Sequence, residues 1–219
     1  MKQLLLELVL PAAPTFDNLV TGANAEAVAA ARALASGRLG EAVLYIWGAP
    51  GAGKSHLCAA VLSASADAVR LAADSIPSAP DGERLYVIDA VEALDAENQA
   101  ALFNFFNQRG RAMLLMTGSH ASRDLPLRRD LSTRIGGGLS YQMKPLSDDE
   151  KQAALMAHAQ VRGMAMDADI AGYLLRHGRR DMRSLIAMLD GIDRYSLEAG
   201  RPVTLPMVRE ALHRLQGHS

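Results

Sequence analysis

Eight consecutive residues, Gly48-Ala49-Pro50-Gly51-Ala52-Gly53-Lys54-Ser55, fill every fixed position of the pattern G-x-x-x-x-G-K-[ST]. The pattern constrains the fold because its mechanism needs a strand before it and a helix after it. Glycines let the backbone N–H groups turn inward around an anion. Lys54 is placed to reach the outer phosphates of a nucleotide, and the Ser55 hydroxyl to ligate Mg2+. A helix starting here adds the positive end of its dipole. The flanks agree: Val43-Leu44-Tyr45-Ile46-Trp47 is a short apolar run of strand formers, and His56-Leu57-Cys58-Ala59-Ala60-Val61-Leu62 carries Leu and Ala at helical spacing. Gly48 to Ser55, with His56 beside them, form the first part of a candidate nucleotide site.

The chain of 219 residues is long enough for one large domain or two modest ones, and 49% hydrophobic residues support a real core. A formal net charge of −1 leaves no whole-chain basic footprint for duplex DNA or an anionic membrane. The single cysteine, Cys58, excludes an internal disulfide framework, suits a reducing compartment and reads as a small buried apolar residue. Lys2 followed by the apolar run to Leu10 imitates a signal peptide, but Glu7 interrupts the run. Nothing approaches the roughly 18 apolar residues of a membrane span, and a cytoplasmic protein is expected.

Asn24 is a candidate cap for a helix over Ala25–Ser36, closed by Gly37. Strands are predicted at Val43–Trp47, Ala68–Ala72, Leu85–Ile88 and Ala112–Thr117. The segment Ile76–Gly82 has turn chemistry, and a helix over Ala96–Gln108 is expected to bury Leu102, Phe103 and Phe106. Strands alternating with helices predict an α/β domain with a parallel sheet flanked by helices. From Lys144 the pattern becomes helical: Ser147-Asp148-Asp149-Glu150 is a capping box, with later breaks near Gly163, Gly178 and Gly200-Arg201-Pro202. The expected organisation is an N-terminal segment 1–12, a nucleotide-binding domain 13–143 and a small helical lid 144–219.

Asp89, at the end of an apolar strand, is placed to hold the Mg2+ that Ser55 touches. Hydrolytic nucleotide sites usually carry a second acid next, to polarise the attacking water; here it is Ala90, with Glu92 further along as a partial substitute or, the preferred reading, a loop or helix-start charge. Weak intrinsic hydrolysis follows, with ADP as the expected resting ligand. Arg123, Arg128, Arg129 and Arg134 follow the last strand, and Arg176, Arg179, Arg180 and Arg183 lie in the lid. Arg123 and Arg179 read as solvated surface residues, and direct DNA contacts through Arg176, Arg179 and Arg180 are not expected.

Assembled, these features resemble the AAA+ ATPases, within them the DnaA branch, and most closely the Hda family of DnaA-like regulators that inactivate the replication initiator. Thr15-Phe16-Asp17-Asn18 with Gly22 and Asn24 looks like the family segment near adenine. Gly48–Ser55 and Val87–Asp89 match its two nucleotide motifs. Asp130-Leu131-Ser132-Thr133-Arg134-Ile135 is similar to the arginine-finger box, which makes Arg134 the finger. Arg180-Asp181-Met182-Arg183 looks like the sensor-2 segment, which makes Arg183 a phosphate-sensing arginine. Departures matter as well. The sequence ends at Ser219 where DnaA continues into a helix-turn-helix domain, the stretch between Leu71 and Leu85 is short, and the sensor-1 region Thr117-Gly118-Ser119 has a serine where the branch has an acid, so an initiator is not expected.

Gln3-Leu4-Leu5-Leu6-Glu7-Leu8 resembles the Q-L-x-L-x-L peptide that docks on the bacterial sliding clamp, the β subunit of DNA polymerase III. Alternate leucines of an extended segment fill apolar pockets, so Gln3, Leu4, Leu6 and Leu8 are the candidate clamp contacts. The resemblance implies a negative regulator of replication initiation. It would hold ADP or ATP with Mg2+, sit on the clamp, contact DNA mainly through it, and stimulate hydrolysis of DnaA-bound ATP through Arg134 in trans. Two alternatives stand beside it: an autonomous ATPase acting on DNA or a helicase, and a clamp-tethered adaptor without a catalytic finger. Oligomeric state stays open.

Overall fold

The computed structural model describes residues 13–178 and 181–216, which fall into two compact units, Pro14–Pro145 and the chain from Leu146 onward. In the first unit the elements run α1 (Ala25–Ala35), β1 (Val43–Trp47), α2 (Lys54–Ala64), β2 (Ala68–Leu71), β3 (Leu85–Ile88), α3 (Ala96–Gln108), β4 (Met113–Gly118), α4 (Arg129–Gly136) and β5 (Leu139–Gln142). The five strands form one parallel sheet in the order β2-β3-β4-β1-β5. β3 is buried along its whole length and β1 nearly so. That is why both read as continuous apolar runs rather than alternating ones: a parallel sheet is covered on both faces.

Alternation along the strands sorts the core. Leu44, Ile46, Leu85, Val87 and Leu115 pack with α1 and α2 through Ala31, Leu34, Leu57, Cys58 and Val61. Tyr45, Tyr86, Ile88, Leu114 and Met116 face the other way, onto Leu102, Phe105 and Phe106 of α3 and Leu131 and Ile135 of α4. β1 lies between β4 and β5, so the chain reverses its winding direction at its carboxyl end. A crevice at such a switch point is where open α/β sheets take ligands.

Several local expectations change. β2 stops at Leu71, and β4 starts and ends one residue later than predicted. α3 buries Phe105 in place of Phe103, which is only partly covered. Asn24 precedes α1 but makes no side-chain cap; its amide instead donates to Lys144 O (2.9 Å) and accepts from Lys144 N (2.7 Å). α4 and β5 were not predicted. β5 is an edge strand, Leu-Ser-Tyr-Gln, with every second residue exposed and no apolar run to reveal it.

The second unit contains α5 (Asp148–Val161), α6 (Ala168–His177), α7 (Met182–Ala199) and α8 (Leu205–Gln216). The capping box forms as expected: Ser147 Oγ accepts from Glu150 N (3.1 Å), and Glu150 Oε2 accepts from Ser147 N (2.7 Å). Asp167 and Asp181 cap α6 and α7. Leu155, Ile170, Leu174, Leu185, Leu189, Ile192 and Val208 make its core. Arg162 ties α5 to Asp193 (3.1 Å) and Asp190 (3.4 Å) of α7, and His158 reaches Asp190 at 2.7 Å. Among the described residues, no helix is long and apolar enough to cross a membrane.

Candidate nucleotide-binding site

The loop from Gly48 to Gly53 leaves the end of β1 and enters α2 at Lys54, the strand–loop–helix arrangement its pattern demands. Gly48 N donates to Gly118 O (3.1 Å), so the loop starts against the end of β4. Gly51 and Gly53 take left-handed φ values of 78° and 97°. Lys54 Nζ donates to Gly48 O (2.7 Å) and Ala49 O (3.0 Å), which holds the ammonium over the loop it serves. Ser55 is exposed on the first turn of α2, and Ala52 is buried beneath the loop. Pro50 and Ala49 complete the exposed rim.

His56 turns toward the segment before α1. Its Nε2 lies 3.0 Å from Thr15 O and 2.9 Å from Asn18 Oδ1. Thr15 and Asn18 close a small turn on each other, with Thr15 N donating to Asn18 Oδ1 at 2.8 Å. Phe16 is buried beside them, with the Arg32 guanidinium 4.5 Å above its ring. The Thr15–Asn18 segment is thus joined through His56 to the helix that follows the phosphate loop.

Asp89 follows β3 directly. Its Oδ1 accepts the Thr117 hydroxyl, and Oδ2 has no partner among the described residues. A carboxylate and a hydroxyl are hard oxygen donors of the kind Mg2+ takes, and that ion is usually held by one or two protein oxygens with the rest from phosphate and water. Asp89 and Ser55 therefore fit a Mg–nucleotide, whose metal would neutralise phosphate charge. No group of three or more His, Cys, Asp or Glu side chains gathers among the described residues.

Ala90 holds φ 59°, the single positive-φ non-glycine residue among those described. Glu92 lies in the first turn of the short 3-10 helix Val91–Ala93, at a helix start as expected. Its carboxylate packs near Gly118 and Tyr45, and Oε2 is buried without a hydrogen-bond partner among the described residues. Burial, and then the Glu92 charge, push the Tyr45 phenol well above its usual range, while Tyr45 donates to His120 O (2.6 Å). Burial, followed by the Asp89 charge, pushes the Cys58 thiol up to about 12; Arg70, the Thr117 hydroxyl and Lys54 oppose this more weakly. Cys58 is an inert core residue, as its sequence position implied. Ser119 Oγ is engaged with His120 Nδ1 at 2.8 Å.

The arginines separate by partner. Arg123 pairs with Asp124 (3.3 Å) and Arg128 with Asp130 (2.7 Å). Arg134, exposed in the last turn of α4, has no carboxylate partner among the described residues; its guanidinium lies 4.7 Å from the centre of the Phe103 ring. Arg183 is exposed on the first turn of α7 in the helical unit. Gln3, Leu4, Leu6, Leu8, Arg179 and Arg180 lie outside the described residues. The sequence placed Thr117 in the sensor-1 region with Gly118 and Ser119 but gave it no contact of its own; its bond to Asp89 is what sequence reasoning missed.

Residues 148–212 match the family described as the Hda lid domain. Domain III of the Thermotoga maritima replication initiation protein DnaA superposes with a TM-score of 0.71 at 17% identity, covering 91% of this chain and 95% of that one. AMPPCP-bound DnaA from Aquifex aeolicus gives 0.61 at 17% identity over 85% of this chain and 69% of that one. A Thermotoga maritima RuvB mutant gives 0.69 at 14% identity over 94% and 74%. A phosphate loop between β1 and α2 and a parallel β2-β3-β4-β1-β5 sheet thus precede a helical region whose residues 148–212 match the Hda lid domain family, and the chain shares its fold with domain III of DnaA and with RuvB.

Proposed function

We propose that this protein is a DnaA-related regulator of replication initiation that binds an adenine nucleotide and acts on the initiator rather than by its own turnover. Gly48–Ser55, His56 and Asp89 hold ADP or ATP with Mg2+, and Arg183 senses its phosphates from the lid. Gln3, Leu4, Leu6 and Leu8 tether the chain to the sliding clamp, raising its local concentration where replication is under way. Arg134 enters the ATP site of DnaA and speeds hydrolysis there, leaving DnaA–ADP.

The observation that carries the reading is the state of Arg134. A guanidinium resting over an aromatic ring is biased in position by that contact without spending an N–H donor on a carboxylate, and such donors match phosphate oxygens. Arg134 lies 4.7 Å over the Phe103 ring and has no acid to neutralise it among the described residues. Ala90 in the position of the usual second acid, and Glu92 turned toward Tyr45, support weak intrinsic hydrolysis.

The test is hydrolysis of ATP bound to the cognate DnaA, with clamp-loaded DNA and ADP present, comparing this protein with its Arg134→Ala and Gln3→Ala/Leu6→Ala variants. An arginine finger supplies about 10³–10⁵ in rate. Stimulation lost in the Arg134 variant, with ADP affinity unchanged, is expected, as is loss of clamp dependence in the Gln3/Leu6 variant. Stimulation that survives Arg134→Ala refutes the finger. Steady turnover by this protein alone would make it an autonomous ATPase, and no activity in either direction an adaptor.

A further inference from the structure

Thr117 is fully buried, and its hydroxyl has two jobs at the edge of the site. Oγ1 accepts from the Ala90 N–H at 3.0 Å and donates to Asp89 Oδ1. The β3–β4 ladder ends at the pair Ile88 and Met116. One residue further on, Asp89 and Ala90 are joined to Thr117 by this side chain in place of a backbone rung. The junction is costly: an L-residue in the left-handed region loses roughly 1–2 kcal/mol, and Ala90 sits there at φ 59°. Such outliers persist where surrounding contacts over-determine them and cluster at functional sites. The Thr117 bond to Ala90 N–H is such a contact, on the residue directly after the carboxylate.

We infer that Thr117 is a positioning residue for the metal-ligating carboxylate: by holding Oδ1 of Asp89 and fixing the turn at Ala90, it presents Oδ2 to the cation of a bound Mg–nucleotide. This rests on the nucleotide-site reading above. It differs from a purely structural role because the hydroxyl donates to the very carboxylate assigned to the metal. Neighbours that orient a metal's ligands are worth about 10–100-fold in metal affinity. A role confined to strand packing would instead affect nucleotide binding with and without metal alike.

The experiment measures ADP affinity by titration calorimetry, in Mg2+ and in EDTA, for the full chain and its Thr117→Val, Thr117→Ser and Asp89→Asn variants. Thr117→Val keeps the shape and removes the hydroxyl. It is expected to lose about tenfold in the Mg2+-dependent gain while its EDTA affinity stays within about twofold of the parent, and Thr117→Ser should restore the gain. If the valine variant does not fold, Thr117→Ala carries the same comparison. An equal loss in both buffers, or an intact Mg2+ gain in Thr117→Val, overturns the inference. Asp89→Asn separates the two levels. If it abolishes the Mg2+ gain while Thr117→Val leaves it, only the Thr117 inference fails; if it leaves the gain intact, the metal-site reading fails with it.

Discussion

Replacing Gly48 by alanine should destabilise the α/β unit more than the same change at Gly51, although both glycines belong to the phosphate loop. A Cβ on Gly48 would stand 2.0 Å from Met143 O and 3.1 Å from Met143 C. Both are backbone atoms, and they are held. Met143 N donates to Trp47 O at 2.6 Å, and the next residue, Lys144, is gripped by both ends of the Asn24 amide. Relieving the clash means moving Met143 outward by about an ångström and giving up one or more of these buried bonds. At about 1 kcal/mol net each, and more for groups left unsatisfied, the total is roughly 3–4 kcal/mol. At Gly51 nothing lies within 4 Å, and only φ +78° resists a side chain, which costs roughly 1–2 kcal/mol. A chain of this size loses about 2–4 °C of melting temperature per kcal/mol. Gly48→Ala should therefore fall by roughly 6–16 °C and Gly51→Ala by about 2–8 °C. The assay is circular-dichroism melting without nucleotide, so that lost binding does not enter. A Gly48→Ala protein melting within 2 °C of the parent, or above Gly51→Ala, on the order of the assay's own scatter, would refute the close-approach argument.

Two further outcomes follow from burial. The Cys58 thiol is raised from 9.0 to about 12 by burial and then by Asp89, so it should resist maleimide at pH 8 until the chain unfolds. Because its folded value lies above the unfolded one, its stabilising contribution is complete below pH 9 and is lost between about 9 and 12. The slope is about 1.4 kcal/mol per pH unit, and Cys58→Ala should flatten that part of a urea-unfolding series. Asn24→Ala removes both bonds to Lys144 and should cost about 2–3 kcal/mol by denaturant titration; a loss under about 0.5 kcal/mol would show that the Lys144 backbone finds other partners.

The phosphate loop was legible because each of its fixed residues answers a local backbone need, and local needs survive into any fold that contains them. The buried strands were legible for a related reason: β1 and β3 are covered on both faces, so their sequences are apolar without interruption. Asn24 was misread because a residue before a helix invites a cap, whereas its true partner lies 120 positions away. β5 was invisible because its four residues alternate only between half-buried and exposed and include no apolar run. On α3, Phe103, Phe105 and Phe106 share adjacent faces, and composition cannot choose among three rings. The sheet takes Phe105 and Phe106, which leaves Phe103 at the surface beside α4.

That misassigned ring changes how the arginines should be compared. Only the family resemblance singles out Arg134 in the sequence; as residues, Arg123, Arg128, Arg129 and Arg134 are four cations on one stretch. In the fold, Arg123 and Arg128 spend donors on Asp124 and Asp130. A carboxylate neutralises the guanidinium and occupies the same edge that would meet a phosphate. Arg129 has no ion pair among the described residues, but it opens α4, where the helix dipole is positive and a cation is least welcome. Arg134 closes the same helix, at the favourable end, with an aromatic ring 4.7 Å away and no ion pair among the described residues. An exposed stack of this kind is worth only about 0.5–1 kcal/mol, enough to bias the side chain's orientation without fixing it against a partner's pull. Of the four, Arg134 combines order with availability, and both properties come from Phe103 and the polarity of α4 rather than from the arginine's own neighbours in sequence.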